Sequence, residues 1–135
     1  MSLQYSVAVR NARLDVVETT IGTSPILYIR TGSAPSDCSQ ADSGTVLATV
    51  NLPSDWMAAA ASGTKAKSGT WQDSSADATG TAAHFRIKDS TGTTCHMQGT
   101  VTITGGGGDM TVDNTSFAVG QSFTVTAFTL TAGNA

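Results

Sequence analysis

Between residues 6 and 21 the apolar positions Val7, Leu14, Val17 and Ile21 recur at near-heptad spacing, while Arg10, Asn11, Arg13, Asp15 and Glu18 fall largely elsewhere on the helical wheel. This spacing predicts one amphipathic helix. Gly22 follows at once, where a left-handed residue can satisfy the last carbonyls, and Pro25 prevents the helix from resuming.

Beyond Pro25 the pattern changes to short apolar runs separated by turn residues. Residues 26–30 form a first strand, and residues 31–44, polar and carrying Pro35, Asp37 and Asp42, read as a surface excursion. Val46, Ala48, Val50 and Leu52 alternate with Leu47, Thr49 and Asn51 up to Pro53, giving a second strand. Ser54 to Met57 and the four alanines that follow suggest a short capped helical turn closed by Gly63, residues 65–71 a strand, and residues 72–81 another loop. Ala83, Phe85 and Ile87 alternate with His84, Arg86 and Lys88, so one face is expected to be apolar and the other basic and wet. Across the connector 89–93 the alternation continues in Cys95, Met97, Val101 and Ile103, which makes a hairpin. The run Gly105 to Gly108 is expected at a hairpin tip. Phe123, Val125 and Ala127 lie on one phase and Phe128 and Leu130 on the other, which implies a bulge near Ala127 or burial on both faces, the bulge being preferred.

These segments amount to seven or eight strands behind a single helix, a mainly β plan best accommodated by a jelly-roll-like antiparallel β-sandwich. Residues 1–135 form a single domain in this reading, with the helix in 1–22 and the sandwich in 26–131. Composition agrees: 22 Thr, 15 Ser and 14 Gly favour pleated surfaces and turns over helices.

A net charge of −3 with seven scattered Lys and Arg offers no field to attract nucleic acid. No run of about 18 apolar residues predicts a membrane span, and residues 1–15 lack the apolar centre of a signal peptide, so synthesis in the cytoplasm and a soluble product are expected.

Cys38, His84, Cys95 and His96 include enough ligand types for zinc, but alternation puts Cys95 inward with Met97 and His96 outward. Reduced thiols are the default for the two cysteines, with a Cys38 to Cys95 disulfide as the alternative if the protein meets oxidising surroundings. Two histidines and no G-x-S-x-G elbow argue against hydrolase chemistry, and no Gly-Lys-Ser/Thr follows the glycine run to make a phosphate loop. Asp37, Asp42, Asp73 and Asp77 lack the spacing of a calcium loop. Neither a catalytic residue, a metal nor a cofactor is assigned. Trp56 and Trp71 can be read as sugar-stacking platforms or as packing and interface aromatics. The helix stripe Val7, Leu14, Val17 and Ile21, together with Trp56 and Trp71, is therefore the candidate interface, and the stripe is equally able to cover its own sheet.

The opening MSLQYS, the segment AVRNARLD at 8–15, the segment YIRTGSAP at 28–35 and the ending FTLTAGNA resemble small virion proteins of tailed bacteriophages and prophages. That resemblance implies a non-enzymatic structural protein of the virion, made in the host cytoplasm. Its expected role is a capsid cement or decoration subunit, a homo-oligomer that bridges major capsid proteins, with a tail or baseplate subunit as the alternative. A carbohydrate-binding module for host attachment is the alternative of another class. The resemblance transfers no functional residue.

Overall fold

The computed structural model describes residues 3–133. One helix, α1 (Val7–Ile21), precedes ten strands: β1 (Ile26–Arg30), β2 (Val46–Asn51), β3 (Thr64–Ala66), β4 (Gln72–Asp73), β5 (Gly80–Thr81), β6 (His84–Lys88), β7 (Cys95–Ile103), β8 (Met110–Val112), β9 (Ser116–Phe117) and β10 (Phe123–Thr131). The fold is thus mainly β with an N-terminal helix. The strand count exceeds the expected seven or eight because β4 and β5 are two-residue pairings within a segment read as a loop, and β9 is another two-residue pairing in a stretch to which no element was assigned.

Ser6 caps α1, its hydroxyl accepting from Val9 N–H at 3.2 Å, and Gly22 closes it at φ 93° with its N–H on the Glu18 carbonyl. The main sheet runs β2-β1-β6-β7-β8-β10-β3, with β4 also paired to β10, and β5 and β9 form a separate ribbon. Three strand steps would hold β6 and β10 about 14 Å apart in a flat sheet. Yet the Phe85 and Phe128 rings meet edge to face at 5.5 Å, so the sheet curls until its inner face packs on itself. Trp71 continues the contact from Phe128 at 5.5 Å, and Trp56 lies 6.0 Å beyond Trp71. The free edge of β2 is met by β4 and the segment after it: Asp77 N–H donates to Leu47 O at 2.7 Å, and the Asp73 carboxylate accepts from Thr49 N–H. One apolar cluster, from Ile21 through Leu27, Ile87 and Val112 to Phe128, fills the enclosed space.

Four local expectations are corrected. The first concerns residues 54–61, which form no helical turn: Ala58 N–H bonds Ala66 O and Ser68 N–H bonds Trp56 O, so alanine propensity yields to antiparallel pairing. The strand expected over 65–71 is correspondingly confined to β3 and a bridge from Lys67 to Met57.

The glycine run 105–108 is not a hairpin tip, because β7 and β8 run parallel, with Val101 opposite Met110 and Ile103 opposite Val112. Parallel neighbours ordinarily need a crossover of a dozen or more residues. Here a much shorter return is made possible by Gly105 and Gly107 at φ 85° and 82°, and by Gly106 and Gly108, where a Cβ would lie 2.8 Å from the Thr102 side chain. Gly108 N–H then donates to Thr102 Oγ1 at 2.9 Å.

The outer face of β6 is not wet: His84 and Arg86 are buried because residues 31–45 fold over them. Finally, the pairing of β6 with β7 slips between Ile87 and Lys88, so Cys95 stands opposite Lys88 on the covered outer face instead of pointing inward with Met97. The bulge expected near Ala127 is present, as the β8/β10 register shifts between Val125 and Ala127.

Candidate interaction surface

Two polar seams fix the parts of the fold that apolar burial leaves free. The first docks α1. Asn11, Asp15 and Glu18, at i, i+4 and i+7, share one stripe and point at the domain, which reverses the expectation that the charged residues face away. Asn11 Oδ1 accepts from Gly63 N–H at 2.8 Å, Asp15 Oδ1 from Ala60 N–H at 3.1 Å and Glu18 Oε2 from Met57 N–H at 3.2 Å. The amides they satisfy belong to the irregular segment that a helical turn would have satisfied internally.

Lys65 rises from β3 between the two carboxylates, its Nζ 2.7 Å from Asp15, 3.0 Å from Glu18 and 2.9 Å from Ala58 O. Burial disfavours this ammonium, but the hydrogen bonds to Asp15 and Glu18 outweigh it and leave the Lys65 pKa above the ordinary lysine value. The same Lys65 contact, then the Ala60 N–H, holds the Asp15 carboxyl below the usual range. Arg10 Nε donates to Ala132 O at 2.7 Å and Trp56 Nε1 to Gly22 O at 3.0 Å, anchoring both ends of the helix.

With that stripe inward, Leu14 and Ile21 are buried and Val17 is packed against the core. Val9, Ala12 and Val16, at i, i+3 and i+7, are left on the outside, with Val9 43% and Val16 55% exposed. Val7 is 50% exposed near the helix start, and Leu3 lies uncovered ahead of it. Three apolar residues at that spacing make a seam onto which another helix or an apolar ridge can pack.

The second seam holds the long loop 31–45 against β6. Arg86 is its centre: Nη1 donates to Asp42 Oδ1 at 2.8 Å and Gln40 O at 3.0 Å, Nη2 to Asp37 O at 2.9 Å, and Nε and Nη2 share Gln98 Oε1. Arg30 and Lys88 also reach Asp42, at 3.1 Å and 2.7 Å, so one carboxylate serves three cations. Burial raises the Asp42 pKa, but the hydrogen bonds from Lys88 and Arg86 prevail and hold it below the ordinary aspartate value. His84 Nδ1 donates to Gly32 O at 2.6 Å. Among the described residues, Arg30 Nε and His84 Nε2 find no hydrogen-bond partner, and the two residues stand opposite each other in the β1/β6 register.

Of the residues named as a candidate interface, Leu14, Ile21, Trp56 and Trp71 are interior and Val17 is half-buried, leaving Val7 as the exposed one. Both tryptophans are completely buried, and Trp71 Nε1 is committed to Ser68 O, so neither offers a sugar platform. Cys38 and Cys95 line one pocket, but the four residues Cys38, His84, Cys95 and His96 do not converge as a set: among the described residues no group of three or more His, Cys, Asp or Glu is placed to hold a metal ion. Asp37 caps Ser39, Asp73 caps Ser75 and Thr49, and Asp77 takes the Thr49 hydroxyl, so these acids serve the loops themselves.

Sequence reasoning missed both seams and the outward Val9, Ala12 and Val16. A signal existed in the first case, since Asn11, Asp15 and Glu18 share a helical face. Comparison with protein families, with curated proteins and with solved structures finds no match to this chain.

Proposed function

We propose that this chain is a non-enzymatic structural protein of a tailed-bacteriophage virion, a capsid cement or decoration subunit that acts as an oligomer and bridges major capsid proteins. The observation that carries the reading is the apolar seam Val9, Ala12 and Val16, presented outward by a helix whose inner face is locked to the domain. A helix already held in place loses little conformational freedom when a partner packs on it, so even a small contact yields net affinity. Repetition over a lattice multiplies that affinity. The sequence resemblance supplies the virion setting, and the curled sheet supplies a rigid body behind the helix.

Cross-linking of intact particles followed by peptide mapping tests the assignment. Links from residues 3–20 to the major capsid protein are expected, and Val16→Asp is expected to lower occupancy on the particle by tenfold or more, that is about 1.4 kcal/mol or more, with unfolding unchanged. Predominant links to tail or baseplate proteins would move the protein to that location. A Val16→Asp variant that loads normally would remove the seam from the interface. Binding to glycans that survives in a particle-free preparation would favour the attachment-module reading, although the buried Trp56 and Trp71 give that reading no platform.

A further inference from the structure

We propose that Cys38 and Cys95 form a built disulfide site, which a small-molecule disulfide oxidant closes into an intramolecular strap between the loop 31–45 and the start of β7. The inference stands on geometry and is independent of the virion reading. Arg86 Nη2 holds the Asp37 carbonyl at 2.9 Å, which presses the residue next to Cys38 onto β6. The register slip after Ile87 sets Cys95 opposite Lys88, on the side of the sheet that Arg86 occupies. Both cysteines line one open pocket together with Asp42, Arg86 and Lys88. Both residues are partly exposed, so an oxidant can arrive from solvent. Without the slip, Cys95 would point into the core and the pair could not meet.

The chemistry balances as a thiol–disulfide exchange. One cysteine thiolate attacks a sulfur of oxidised glutathione, forming a mixed disulfide and expelling one glutathione thiolate. The other cysteine thiolate attacks the protein sulfur of that mixed disulfide and expels the second. Two cysteine sulfurs are oxidised, one glutathione disulfide is reduced to two thiols, and the two cysteine protons end on the two released thiols. Burial, then the neighbouring Cys95 thiol, push the Cys38 thiol up to about 11, so closure should speed up as pH rises.

The strap would secure the segment whose attachment otherwise depends on Asp42, Arg86 and the contact of Gln98 Nε2 with Pro35 O. It would also join residues far apart in sequence, where a cross-link restricts the unfolded chain strongly.

The test is incubation of the reduced, folded protein with oxidised glutathione at neutral and mildly alkaline pH, followed by alkylation and mass measurement. Loss of both alkylatable thiols is expected, with no retained glutathione, a monomer on a non-reducing gel, faster closure at the higher pH, and a Tm raised by about 5–15 °C. Cys38→Ser and Cys95→Ser should each keep one glutathione and show no such rise. Retention of glutathione on the wild type, a disulfide-linked dimer, or two thiols still free after prolonged alkaline incubation would overturn the proposal.

Discussion

Replacing Arg86 by Met tests the seam that holds the loop 31–45, because it keeps the length of the side chain while removing every donor. The guanidinium is buried and serves four acceptors: Asp42 Oδ1, Gln40 O, Asp37 O and Gln98 Oε1. Breaking a buried charge pair typically costs about 3–5 kcal/mol when the surviving partner is stranded. Asp42 is not stranded, since Arg30 and Lys88 still reach it. Asp37 and Gln40 are exposed residues whose carbonyls can turn to water, which leaves Gln98 as the acceptor with least access to a replacement. Setting these recoveries against hydrogen bonds worth about 1–3 kcal/mol each when an acceptor is orphaned gives a net loss of about 2–4 kcal/mol. Arg86→Lys keeps the charge but cannot span the fork, so about half of that loss is expected. Urea unfolding followed by the fluorescence of the buried Trp56 and Trp71 measures the total, and amide exchange in residues 31–45 locates it. An Arg86→Met protein within about 0.5 kcal/mol of wild type, the size of an ordinary surface substitution, with unchanged exchange in that loop, would show that something other than Arg86 holds it.

The neighbouring carboxylate predicts an acid dependence. Asp42 is held below its unfolded value of about 3.9, so its contribution is present above that pH and disappears as pH falls through the folded value. Asp42→Asn should therefore be less stable than wild type at neutral pH and lose less on acidification, as read from urea midpoints at both ends of that range. Lys65→Met should cost only about 1–2 kcal/mol by chemical denaturation, because Asp15 and Glu18 keep their backbone donors and reach water. Gly106→Ala should cost about 1–3 kcal/mol, since its Cβ would sit 2.8 Å from Thr102, whereas Gly133→Ala, with open space around it, should leave the Tm unchanged.

What could be read from the sequence was whatever is local. Ser6 and Gly22 bracket the helix, Pro53 ends β2, and the alternation from Ala83 to Ile103 marks the β6/β7 hairpin. The phase change at Ala127 even placed a bulge to within a residue. Alternation, however, says which side chains share a face and nothing about what covers it. Arg86 looked solvated because its partner Asp42 lies 44 positions away in a polar loop with no periodicity of its own. The parallel β7/β8 pair was equally hidden, since a short glycine-rich connector ordinarily signals a hairpin. The positive φ of Gly105 and Gly107 and the close approach of Gly106 and Gly108 to Thr102 together explain the return. Cys95 went astray for a related reason: a single slipped residue in the ladder exchanges inside and outside for everything beyond it.

The orientation of the helix follows from the same division between apolar and polar contacts. Its apolar residues are split, with Leu14, Val17 and Ile21 inward and Val9, Ala12 and Val16 outward, so burial alone would discriminate weakly between one face and its opposite. The polar contacts discriminate strongly. Rotating α1 by half a turn would strand the Lys65 ammonium in the interior and leave the amides of Met57, Ala60 and Gly63 without Glu18, Asp15 and Asn11. A buried unpaired ammonium costs several kcal/mol, more than the exchange of one valine pair for another could return. The outward apolar seam is therefore a consequence of how the helix is clamped, and a partner that packs on Val9 and Val16 meets a surface whose rotation has already been chosen.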